Sequence, residues 1–79
     1  MARYTVLLFW EENAYAALVP VLGIASQGDT IEAALAMAQE AAELHLKGLI
    51  EDGEPVLEEE TPPIIASIEV AAPVPAVTS

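Results

Sequence analysis

An α+β fold with the element order β-β-β-α-β is what this sequence predicts, as a four-stranded mixed sheet with one helix on one face. Three observations carry that prediction. Within residues 3–26, three short stretches rich in β-forming residues are separated by turn residues. From residue 31 to about residue 51, an alanine-rich segment repeats apolar side chains at helical spacing. A last stretch, 64–70, is again β-branched and follows Pro62 and Pro63.

The elements follow in order. Residues 3–10, Arg-Tyr-Thr-Val-Leu-Leu-Phe-Trp, are too few for a stable helix and suit a strand. Glu11, Glu12 and Asn13 read as a polar turn, and residues 15–19 form a second strand closed by Pro20, which cannot donate to a ladder. Ile24, Ala25 and Ser26 make a short third strand, and Gly28 supplies a turn. Asp29 and Thr30 can each cap the helix, and Asp29 with Glu32 has the spacing of a capping box. Ile31, Ala34, Leu35, Ala38, Ala41, Ala42, His45 and Leu49 share a helical face, and Gly53 with Pro55 ends the helix near Glu51. Residues 54–63 form an acidic loop, 64–70 the fourth strand, and 71–79 a tail containing Pro73 and Pro75.

Two hairpins make the third strand parallel to the first, and a right-handed helical return places the fourth beside the first. The resulting spatial order is 3-2-1-4. The first strand is then central, with Tyr4, Val6, Leu8 and Trp10 on one face and Leu7 and Phe9 on the other. One helix covers only one face. Tyr4, Val6, Leu8 and Trp10 are therefore expected to contact a second subunit, giving a dimer or tetramer.

Composition narrows the function. The chain has 79 residues, of which 54% are apolar, and a net charge of −11 from 13 acidic and 2 basic residues. So short a chain makes one marginal domain, over residues 1–70, that gains from self-association. Arg3 and Lys47 are too few to neutralise a phosphate backbone or an anionic membrane, so direct nucleic-acid and membrane binding are not expected. A basic protein partner is the natural complement. Without Cys there is neither a disulfide nor a thiolate metal site. Met1-Ala2-Arg3 runs directly into the apolar stretch from Tyr4, and no small-residue cleavage site precedes Glu11, so a cytoplasmic location is expected.

Specific residues carry a family resemblance. Tyr15-Ala16-Ala17-Leu18-Val19-Pro20-Val21-Leu22-Gly23 is followed by Ser26-Gln27-Gly28-Asp29-Thr30 and later by Glu51-Asp52-Gly53-Glu54-Pro55. A tyrosine before a P-x-x-G turn, a G-D-T opening a helix and an E-D-G-x-P closing it resemble the HicB-like antitoxin family, over about residues 3 to 70. The resemblance implies a reduced ribonuclease H-like fold, oligomers, and an antitoxin that binds and masks a small basic mRNA-cleaving toxin of the HicA type. Full-length relatives carry a C-terminal DNA-binding domain. Here only nine residues follow the last predicted strand, so no such domain is expected. The alternative is a stand-alone oligomeric interaction module with some other partner.

Catalysis is not expected. Metal-dependent nuclease chemistry needs converging carboxylates, one from within the first strand, and residues 3–10 contain none. His45, the only histidine, sits on the apolar helix face and reads as a packing residue. No cofactor or metal site is expected. Trp10, Glu11 and Glu12 at the hairpin tip and Glu58, Glu59 and Glu60 in the acidic loop are the candidate contacts for a cationic partner.

Overall fold

The computed structural model describes residues 2–72. Its elements are β1 (Leu7–Glu11), β2 (Ala14–Val19), β3 (Ile24–Gly28) and α1 (Ile31–Glu51). The three strands form one antiparallel sheet in the order β1-β2-β3, and α1 packs across β3 and β2. The α+β class and the order of the first four elements are as expected.

Turn chemistry explains the hairpins. Glu11 pairs with Ala14, leaving the two-residue loop Glu12-Asn13, and both residues have positive φ, 40° and 71°. That is the signature of a type I′ turn, whose twist matches the strands it joins. Between β2 and β3, Gly23 at φ 66° lets its amide bond back to Val19 at 2.9 Å.

The helix ends are chemically defined. Thr30 is the N-cap, its hydroxyl accepting from the Ala33 amide at 3.0 Å. Of the two capping residues considered, the one adjacent to Ile31 is used. At the other end Gly53, φ 69°, donates to Ile50, and Glu54 donates to Leu49 at 2.9 Å. This pair of bonds is a Schellman motif, which needs the left-handed residue that glycine supplies.

Register assigns the faces. Leu8, Ala17 and Ser26 align across the sheet on the helix side, as do Trp10, Tyr15 and Gly28. Leu7, Leu18 and Ala25 align on the opposite side, with Phe9, Ala16 and Gln27. The buried core is Ala17, Val19, Leu22, Ala34 and Ala38. Three of these five are alanine, so helix and sheet approach closely but bury few large side chains. Gly28 shows how close: a Cβ there would overlap the backbone of Ala33 and Ala34.

Two expectations are corrected. The first strand begins at Leu7 rather than Arg3, because residues 2–6 have no strand partner. More consequentially, residues 64–70 do not form a fourth strand, so the sheet is three-stranded and antiparallel and the order stops at 3-2-1. β-Branched alternation supplies propensity, but a strand exists only against a partner edge. The preceding loop is held at the segment leading into β1: Tyr4 donates its hydroxyl to the Leu57 carbonyl at 2.6 Å, and Thr5 binds Glu59. From there residues 64–70 leave the sheet, every one of them exposed. Pro73 and Pro75 of the expected tail lie outside the described residues.

Candidate partner-binding surface

The open face of the sheet is apolar and uncovered. Leu7, Phe9, Ala16 and Leu18 share it, and no described element packs there. Phe9 is 50% exposed. Small alanines beside a projecting aromatic make a shallow surface suited to another protein rather than to a small molecule.

Tyr4, Val6, Leu8 and Trp10 lie on the helix side. Tyr4, Val6 and Leu8 pack against the core, while Trp10 remains exposed and meets Tyr15 edge-to-face, ring centroids 4.9 Å apart and planes at 61°. This cross-strand aromatic pair rigidifies the hairpin tip and holds the indole in a fixed direction. Tyr4 and Val6 also line an open groove of about 590 Å³, together with Val19, Leu35, Ala42 and Leu46. The groove arises because α1 sits over β3 and β2, leaving the flank beside residues 2–6 unfilled.

The acidic residues singled out as partner contacts fall into two separated groups. Glu11 and Glu12 are exposed at the β1–β2 tip, beside Gln27. Glu58 and Glu59 lie at the opposite end of the same edge, near Ala2 and Arg3. From Thr5, which Glu59 touches, to Glu11 is six residues of chain, about 20 Å when extended. A cationic partner would need to span that length to engage both.

Glu59 differs from its acidic neighbours in being bound. Its carboxylate accepts from the Thr5 hydroxyl at 2.6 Å and from the Thr5 amide at 2.8 Å. Those hydrogen bonds, the hydroxyl first, hold the Glu59 carboxyl below the ordinary glutamate range, because both favour the ionised form. Glu59 therefore anchors the acidic loop to the start of the chain, a role its sequence neighbours gave no sign of. Glu58 and Glu60 remain exposed.

Among the described residues no group of three or more His, Cys, Asp or Glu converges to hold a metal ion. His45 is half-buried on α1. The Ser26 hydroxyl is buried beneath the helix without a hydrogen-bond partner. No described helix is long and apolar enough to cross a membrane.

Comparison with known proteins places the chain in a family. Residues 4–73 match the family described as HicB-like antitoxin of bacterial toxin–antitoxin systems. The chain is also 46% identical over 60 residues to the UPF0150 protein ssr1765 of Synechocystis sp., covering 73% of this chain and 76% of that protein. No solved structure matches significantly. The matched family segment takes in the whole sheet, the helix, the acidic loop and residues 64–70, so the chain belongs to the HicB-like antitoxin family.

Proposed function

We propose that this protein is a non-catalytic antitoxin that binds and sterically masks a small basic toxin of the HicA type in the cytoplasm. The observation that carries the reading is the pairing of family membership with a net charge of −11 on a body whose uncovered sheet face is apolar. An apolar centre with charge around it is the usual anatomy of a protein-binding surface. Phe9 and Trp10 would supply the contact area, and Glu11, Glu12, Glu58 and Glu60 the attraction for a cation-rich partner. Glu59 acts through the loop it anchors.

Binding without catalysis follows from the same residues. A nuclease needs converging carboxylates and a cationic surface for its substrate, and the chain has only Arg3 and Lys47. A protein that only occupies a surface needs neither.

Self-association is part of the proposal. The described fold buries five core residues, the largest of them Val19 and Leu22, while Phe9, Trp10, Met37 and Leu44 are 50, 60, 47 and 64% exposed. Burying one large aliphatic side chain contributes only about 1.5–3 kcal/mol, so this core alone leaves little margin against chain entropy.

Mixing the purified protein with the product of an adjacent gene encoding a small basic protein tests the reading. A stoichiometric complex at micromolar concentration and low salt, with loss of the toxin's RNA cleavage, is expected. No complex under those conditions overturns it and leaves a self-associating interaction module. Sedimentation of the protein alone tests self-association: a species larger than 8.3 kDa is expected.

A further inference from the structure

The most exposed large apolar side chains among the described residues are concentrated in one short segment. Ile64, Ile65, Ile68 and Val70 are 94, 77, 85 and 75% exposed. Alternation sorts the segment into two faces: Ile64, Ala66, Ile68 and Val70 on one, Ile65, Ser67 and Glu69 on the other. That is the pattern of a strand with one buried side, in a stretch that has no partner.

A matching vacancy lies on the same molecule. Among the described residues β1 pairs only with β2, so its outer backbone edge is free. That edge is flanked by Leu8 and Trp10 on the helix side and continues into the apolar groove at Val6, Leu35 and Leu46. An added strand with one apolar face would complete the edge and cover the mouth of the groove. The free edge of β3 is the poorer acceptor, because its helix-side positions are Ile24, Ser26 and Gly28, only one of them a large apolar residue.

Within its own chain the segment is not paired with that edge, and every residue of it is exposed. Glu59 is held at Thr5 and Leu57 at Tyr4. Five residues from 59 to 64 extend at most about 18 Å. Five residues from Thr5 to Trp10 span about 17 Å. Fully extended alongside its own β1, the chain would bring Ile64 level with Trp10 and carry residues 65–70 past the sheet. The shape agrees with a projecting segment: the radius of gyration is 15.9 Å and the long dimension 50 Å. A compact chain of this length would have a radius of about 12 Å.

We infer that residues 64–70 of one copy dock on the free edge of β1 in a second copy, and that the exchange is reciprocal. Each copy then carries a four-stranded sheet whose last strand belongs to its partner. The apolar face, Ile64, Ile68 and Val70, turns toward Leu8, Trp10 and the groove, while Glu69 stays in water. Because a two-fold arrangement uses the same contact twice, each dimer gains two docked strands. The inference specifies the self-association proposed above and does not depend on toxin binding.

Mixed-label NMR decides it. Equal amounts of isotope-labelled and unlabelled protein are unfolded, refolded together and examined by filtered NOE spectra, with sedimentation on the same sample. Methyl contacts from Ile64, Ile68 or Val70 to Leu8, Trp10 or Val6 are expected between chains, in a dimer. Ile68→Glu, at an exposed position of the single chain, is expected to weaken dimerisation about 30-fold or more while leaving the helical circular-dichroism signal unchanged. The same contacts found only within one chain would overturn the exchange, as would a dimer in which residues 64–70 make no contact and Ile68→Glu has no effect. In that last case self-association stands and strand exchange fails. A stable monomer overturns both.

Discussion

Single residues carry more of this fold than its small core would lead one to expect. Gly28 faces Ala34 so closely that a methyl group has no room, and Gly28→Ala is expected to cost about 1–3 kcal/mol, since the obstructing atoms are backbone. In a chain this short each kcal/mol moves the melting temperature by about 4–8 °C, so thermal unfolding reads the effect directly. Ser26 works in the opposite direction. Its buried hydroxyl lacks a partner, and Ser26→Ala should leave stability unchanged or raise it by up to about 1 kcal/mol. Glu12 occupies a left-handed position that glutamate disfavours. Placing Asn-Gly at positions 12 and 13 should stabilise the hairpin by roughly 0.5–1 kcal/mol, because both residues accept φ > 0.

Among the elements, the acidic loop has the clearest pH dependence. The Glu59 carboxyl is held below its ordinary value by Thr5, so the folded state favours the ionised form. A depressed carboxyl contributes stability above the unfolded-state value, about 4.3, and loses it as the pH falls through the lower folded value. The loop should therefore stay attached throughout the neutral range and detach only in acid. Titration of the Thr5 amide resonance checks this: its downfield position should persist to a pH below the ordinary glutamate range. Thr5→Val, which removes the hydroxyl, should move that midpoint upward. The helix responds differently, since its ends are set by neutral groups. Thr30→Ala should cost about 1 kcal/mol at any pH.

For the whole molecule, charge and apolar surface make separable predictions. If attraction to a basic partner rests on Glu11, Glu12, Glu58 and Glu60, raising salt from low ionic strength to about 0.5 M should weaken the complex roughly tenfold, chiefly by slowing association. Dimerisation through residues 64–70 buries uncharged side chains and brings together two copies of charge −11, so the same change should strengthen it by screening their repulsion. Measuring both equilibria across one salt series separates the two surfaces.

Much of this architecture is legible in local sequence signals. Turn residues, β-branched stretches and helical spacing determined β1, β2, β3 and α1, because each depends on neighbours within a few positions. Thr30 and Gly53 bound the helix for the same reason. The Tyr15 to Gly23 stretch, the Gly28-Asp29-Thr30 helix start and the Glu51-to-Pro55 ending carried the family resemblance. Tertiary structure alone decided the fate of residues 64–70. Their alternation shows that they can form a strand, but a strand needs a partner edge, and residues 64–70 pair with none among the described residues, while the loop before them is tied to Tyr4 and Thr5 more than 50 positions away. It also decided that Tyr4, Val6 and Leu8 pack toward the helix and that Leu7 and Phe9 face the open side. Alternation specifies two faces without saying which one the helix will cover. Local chemistry fixes elements, whereas contacts between distant residues determine which surface remains for a partner.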